Sequence, residues 1–228
     1  MEELLSKYFS FAPDLPLTEL PIEKNIKGWV RLRLKATAGL MFNQINLDHL
    51  PLFFSGNDET AHKLHGLCFG SLLGVLIAPA GSPWKWYEFL EPSNVRPMGY
   101  QDDEALLPVS LRNFQGYRLV EEYFSFPQRF LFMDIKGLGS AVKKNMSDEM
   151  EIVLLFEQGD AVLESTVNTT NFSLFCSPAI NLFSKRADRI HLSENANEYH
   201  VIPDRTQPTD FEIHEVTNVV GHGVGSDS

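Results

Sequence analysis

Cysteine is scarce: Cys68 and Cys176 are the only two in 228 residues, far apart and each set among apolar neighbours. A disulfide framework is therefore excluded, and both thiols are expected to be reduced and buried, acting as small hydrophobes in a cytosolic protein. Basic charge is also short. Against 30 Asp and Glu stand 19 Lys and Arg, a formal net charge of -11, which argues against holding nucleic acid or an anionic membrane through bulk electrostatics. Long apolar runs are missing too. The longest, Leu72 to Ala80, contains Pro79 and falls well short of the about 20 residues that span a bilayer, so no direct membrane insertion is expected. The opening Met1-Glu2-Glu3-Leu4-Leu5 has neither the positive region nor the apolar core of a secretory signal, which points to the cytoplasm. The sequons at Asn145, Asn168 and Asn171 are then chance matches. What is present is ordinary for a folded soluble protein: 43% hydrophobic and 21% charged residues, in a chain long enough to bury roughly 70% of its unfolded surface.

Residues 1–27 hold Pro13, Pro16 and Pro21 among alternating acids and leucines and read as an extended lead-in, with a frayed helix over Glu2–Tyr8. In Trp29–Lys35, Val30, Leu32 and Leu34 alternate with basic residues, the pattern of a strand with one face in water. Leu50–Phe54 is a second strand. A helix follows, with Asn57 or Asp58 as its cap and Ala61, Leu64, Leu67, Cys68 and Leu72 along one face. Gly74–Pro79 reads as a buried strand, and residues 81–112 are rich in turns. The spacing predicts a second helix from Asn113 to Phe124, with Tyr117, Val120 and Phe124 on its apolar face and Pro127 as its stop. Phe130–Ile135 is a strand, and Gly137–Asp148 is the best internal linker.

Beyond that linker the apolar phase of Ile152–Phe156 repeats that of Val30–Leu34. At the same offset Asn46 meets Asn168, Leu52 meets Leu174, Phe53 meets Phe175 and Ser55 meets Ser177. Further strands are expected around Phe172–Cys176, Ala179–Phe183, Glu198–Ile202 and Asp210–Val216. The expected fold is α+β and β-rich: two related β-sandwich-like units of mostly antiparallel strands, the first with two inserted helices. The expected organisation is a lead-in (1–27), a first unit (28–145), a second unit (146–220) and a flexible tail (221–228).

No constellation reads as chemistry. His62 and His65 share a helix with Asp58, but H-E-x-x-H and a third ligand are missing, so no metal site is expected. Asp102-Asp103-Glu104 beside the aromatic Trp84-Lys85-Trp86-Tyr87 has the composition of a glycan-cleaving site, which needs two carboxylates at a fixed separation. Carboxylates crowded in a turn are more simply solvated, and a carbohydrate-active or carbohydrate-binding β-sandwich stands only as the alternative. Asp188, His191 and Glu194 lack a G-x-S-x-G serine, and Gly221-x-Gly223-x-Gly225 precedes no helix that would hold a phosphate. No catalytic, cofactor-binding or metal residue is expected, and the chain is not read as an enzyme. The aromatic runs Phe53-Phe54, Tyr123-Phe124-Ser125-Phe126 and Phe130-Leu131-Phe132 are dense. Successive residues of a strand point to opposite faces, so part of this surface needs a second core or a partner. Phe54, Trp84, Trp86 and Phe126, with the basic Arg186 and Arg189, are the candidate interface residues.

Six blocks carry a resemblance to a known family. They are Leu50–Gly56, Asp102–Pro108, Phe114–Leu119 with Glu122–Phe124, Phe175–Phe183, Ala187–Ile190 and Tyr199–Arg205. In unbroken order from about Trp29 onward, these resemble TssF (also VasA or ImpG), a baseplate subunit of the bacterial type VI secretion system. Family members are longer at both ends, and the chain looks like their middle section. The resemblance implies a non-enzymatic wedge component, cytoplasmic and docked to the inner-membrane complex through its partners. Those partners would be TssG, TssK and a second TssF copy, with TssE alongside.

Overall fold

The alternation of Val30, Leu32 and Leu34 builds β2 (Gly28–Lys35), whose inward side chains are fully buried. In this computed structural model, residues 4–9, 20–22, 24–108, 114–193 and 195–223 are described. β2 is flanked on one side by β1 (Leu4–Phe9) and on the other by β8 (Glu149–Phe156), both antiparallel to it. β8 in turn pairs with β4 (Leu72–Pro79), and β4 with β5 (Glu88–Leu90). The result is a five-stranded antiparallel sheet in the order β1-β2-β8-β4-β5. β8 is apolar at nearly every position because both of its faces are covered. Met150, Ile152, Leu154 and Phe156 enter the main core, while Val153 and Leu155 join Trp29, Leu76 and Leu20 on the other face. Each such side chain contributes about 1.5–3 kcal/mol on burial.

The second sheet has the order β6-β7-β3-β9 and is also antiparallel. It comprises β3 (His49–Phe54), β6 (Val95–Pro97), β7 (Phe132–Lys136) and β9 (Phe172–Ser173). Leu50, Leu52 and Phe54 of β3 and Met133 and Ile135 of β7 share one core with the first sheet. Three helices close this sandwich: α1 (Asp58–Gly70) through Ala61, Leu64, Leu67 and Cys68, α3 (Gly139–Lys144) through Ala141 and Val142, and α4 (Ala161–Thr166) through Leu163. α1 starts where expected, its Asn57 cap accepting a 2.8 Å bond from the Glu59 amide. It stops at Gly70, so Leu72 lies in β4 rather than on the helix.

The α+β class, with antiparallel sheets, holds. The division at residue 145/146 does not. β8, placed by its sequence at the start of a second unit, is the central partner of β2, with Val30 opposite Leu154 and Leu32 opposite Ile152. The two strands share an apolar phase because they are neighbours facing one core. Compactness instead separates Met1–Pro178 from Ala179–Ser228. Nor is 137–148 a linker: Gly137 turns the chain at φ +80°, and α3 then docks with Ala141, Val142 and Asn145 buried. Within the lead-in, Leu4–Phe9 is a strand rather than a frayed helix. β9 is shorter than expected, since Phe175 takes a positive φ of 59° and stands exposed. Cys176 is likewise exposed, contrary to expectation, and only Cys68 is buried.

The unit from Ala179 onward has no helix or strand among its described residues, so the strands expected at Ala179–Phe183, Glu198–Ile202 and Asp210–Val216 are not formed. Local polar contacts hold its turns. The Tyr199 hydroxyl accepts from the Ser193 amide (2.7 Å) and donates to the Ser193 carbonyl (2.9 Å), and the Asp188 carboxylate accepts from the Arg205 amide (2.9 Å). Asp204 accepts from the Thr206 hydroxyl and amide and from Lys185, which lowers its pKa to about 2.

Candidate functional site

Helix α2 (Gln115–Ser125) is amphipathic as its spacing predicts, and its aromatic side is turned outward. Tyr117, Val120 and Phe124, expected on one face, do share it: they are 74%, 55% and 81% exposed, and Phe114 at the helix start is 73% exposed. The side turned inward carries charge: Arg118 and Glu122 are buried. A 3.6-residue period locates a stripe and does not by itself say which side meets the core.

The inward side is held by an ion cluster. The Glu122 carboxylate accepts from the Leu106 and Leu107 amides (3.1 and 2.9 Å) and from Arg118 Nη1 (3.2 Å), and it is ion-paired with Arg129. Arg118 also reaches Asp102 (3.0 Å), while Arg129 Nη2 donates to the carbonyls of Gly99 (2.8 Å) and Glu104 (2.9 Å). Burial, and next the charge of Arg118, pull the Arg129 guanidinium below its usual range, with Glu104 acting the other way. Buried ion pairs of this kind fix geometry well and add modest net stability. α2 is therefore oriented by charge, which leaves its aromatic side outward. Ring contacts brace that side: Phe114 lies edge-on to Tyr117 (5.7 Å), and Phe124, Tyr123, Phe130 and Tyr100 form a chain of neighbours at 5.1–5.9 Å.

The residues singled out from sequence fare unevenly. Phe54 is not at an interface: it is fully buried in the core, edge-on to Phe172 and His65. Trp84 and Trp86 are half-buried, the first over the outer face of the five-stranded sheet and the second against the main core. Phe126 is half-buried at the end of α2. Arg186 and Arg189 are exposed in the unit from Ala179 onward. The outward aromatic side of α2 was not among the residues singled out, although the spacing of Tyr117, Val120 and Phe124 marks it.

The expected chemistry-bearing groups are occupied by structure. Glu104 accepts from the Gly99 and Gln101 amides and pairs with Arg96 (3.0 Å), and Asp102 pairs with Arg118. Trp84 donates to Glu151 (3.2 Å), which also binds Arg33 (2.6 Å). The carboxylates and tryptophans named for a glycan site are thus dispersed over separate structural contacts, and that alternative is set aside. His62 donates to the Asp58 carbonyl (2.7 Å), and His65 packs between Phe54 and Phe69. No cluster with a metal-ligand set occurs among the described residues. Asp188 is engaged by Arg205, and Glu194 lies outside the described residues. No described helix is long and apolar enough to cross a membrane.

The structure is a β-sandwich whose buried charges serve structural pairs and which turns an aromatic helix face outward, the kind of contiguous apolar surface that marks association sites. Comparison with known proteins supplies the lineage. The family model "Type VI secretion system, TssF" matches residues 6–228, and the chain belongs to that family. Type VI secretion system component TssF1 of Pseudomonas aeruginosa is 46% identical over 204 residues, covering 89% of the chain. The chain spans about a third (32%) of that relative's length. The fold is shared with a chain of the type VI secretion system TssK-TssF-TssG baseplate subcomplex, at a TM-score of 0.61 and 23% identity, covering 79% of this chain and 33% of that one.

Proposed function

We propose that the chain is a structural component of the type VI secretion baseplate wedge, acting through protein–protein assembly in a contractile injection machine. The family match over residues 6–228 carries this reading, and the fold shared with a chain of the TssK-TssF-TssG subcomplex supports it. Binding energy across interfaces, rather than a chemical step, is its working currency, and no residue acts as acid, base or nucleophile. Its partners are TssG, TssK and a second TssF copy, with TssE beside them. It works in the cytoplasm and is held to the inner-membrane complex through those partners. Arg186 and Arg189, exposed and basic in an acidic chain, are candidate contacts outside α2.

The test is co-expression with TssG and TssK of one type VI cluster, followed by affinity purification and light scattering. A co-eluting complex of defined mass is expected. A clean monomer beside a preassembled TssG–TssK pair overturns the reading.

A further inference from the structure

We infer that the outward face of α2 is a docking helix that enters an apolar groove on a different baseplate subunit, a groove that offers a basic side chain to Glu121. The inference rests on the baseplate reading and assigns it a surface. Phe114, Tyr117, Glu121 and Phe124 follow steps of three and four and so lie along one stripe, with Val120 beside it. Such spacing is that of anchors in helix-in-groove recognition. The lone acid decides what the groove must contain. Glu121 is exposed, and no described residue pairs with it. The one basic residue of α2, Arg118, is buried against Glu122 and Asp102. A groove that covers the aromatics also desolvates this carboxylate, and a cation opposite it offsets the cost. The chain's net charge of -11 favours a basic partner in the same direction.

Area and symmetry argue against a second copy as occupant. Phe114, Tyr117, Tyr123 and Phe124, at 73%, 74%, 49% and 81% exposure and roughly 150–250 Å² each, present on the order of 500 Å². A standard interface uses about 800 Å² per partner. Two copies of α2 packed about a two-fold axis would also bring Glu121, near the middle of the stripe, against its own copy. One helix seated in a concave partner suits the available surface better than two convex helices meeting. The ion cluster beneath α2 holds the anchors in place before binding, which lowers the ordering cost.

The experiment uses the full chain co-expressed with TssG and TssK, in wild-type form, as Tyr117→Ser/Phe124→Ser, as Glu121→Lys, and with a photo-crosslinking phenylalanine analogue at position 124. The expected result is a crosslink from position 124 to TssG or TssK, with capture by the double variant and by Glu121→Lys reduced roughly tenfold or more. Circular dichroism and urea midpoints should stay at wild-type values, because the substituted side chains are exposed. Undiminished capture of both variants, or no crosslink to TssG or TssK while the wild-type complex forms, overturns the docking helix and leaves the baseplate reading standing. A crosslink to a second copy of the chain overturns the assignment of the occupant. Failure of the wild-type chain to join any complex overturns both.

Discussion

Replacing Glu122 by alanine should be the most damaging single change outside the apolar core. Its carboxylate accepts from Leu106, Leu107 and Arg118 and pairs with Arg129, in a place that water does not reach. Removing one member of a buried ion pair costs about 3–5 kcal/mol, because the surviving charge stays buried. Here two guanidiniums lose their carboxylate at once, and two amides lose an acceptor worth about 1–3 kcal/mol each. Water entering the gap returns part of this, so a net loss of about 4 kcal/mol is expected, a large share of the 5–15 kcal/mol typical of a domain. With a urea dependence of about 2–3 kcal/mol per molar, the unfolding midpoint should fall by about 1.5–2 M, followed through the fluorescence of Trp29, Trp84 and Trp86. Glu122→Gln retains one oxygen for the two amides and should lose about half as much. Hydrogen exchange of residues 99–107 should quicken in both variants, since the cluster ties that segment to α2. An alanine variant with a midpoint within about 0.3 M of wild type would refute the account and mean that the cluster does not form in solution.

Two further outcomes follow from burial. Cys68 lies in the core, where desolvation pushes its thiol above the usual range, while Cys176 is exposed; a thiol reagent should label one cysteine in the native chain and two in urea, and two in the native state would refute the placement of Cys68. His65 has a pKa held below 6.5, first by burial and then by the charge of His62, against a backbone hydrogen bond with Phe130. The unfolded imidazole therefore takes its proton first. The neutral-histidine contribution is full above about pH 6.5 and is lost as pH falls toward the lower folded pKa. Between about pH 7.5 and 5.5 the wild type should lose more stability than His65→Leu, and equal losses would refute it.

Much of the sandwich was legible because its signals are local. Alternation in Val30–Leu34 marked the inward side of β2, and Asn57 marked the start of α1. What failed were inferences about what lies on the other side. Arg31 and Arg33 read as a water-facing row, yet Glu151, 1% exposed on its side chain, pairs with Arg33 at 2.6 Å, and Arg31 stacks over Trp29 and Trp84. Their neutralising partner sits on β8, far along the chain and invisible to a local window. The apparent repeat of Val30–Leu34 in Ile152–Phe156 has the same origin. Two central strands facing one core need the same phase, and duplication need not be involved. At α2 the aromatic stripe was visible and its direction was not. The stripe points outward because Glu122 and Arg118 pair on the inner side with Arg129, which also reaches the carbonyls of residues 99 and 104; the Arg118–Glu122 spacing is local, but the contacts to Arg129 and residues 99–107 are not.

That orientation has a consequence for how the surface is kept usable. Had α2 been fastened by its aromatics, docking would require it to peel away from the body, at the cost of the burial it gave up. Fastened by charge, it can offer Tyr117 and Phe124 without loosening any apolar contact of its own. The cost is borne by the free chain, which exposes on the order of 500 Å² of aromatic surface, with a net charge of -11 opposing self-association. Stability and docking should therefore separate by face. Glu122→Ala lowers the unfolding midpoint and weakens capture together, because the helix loses its orientation. Phe124→Ser weakens capture at an unchanged midpoint. If Phe124→Ser also destabilised the isolated chain by more than about 1 kcal/mol, the residue would belong to the core after all, since surface substitutions stay within about 0.5 kcal/mol.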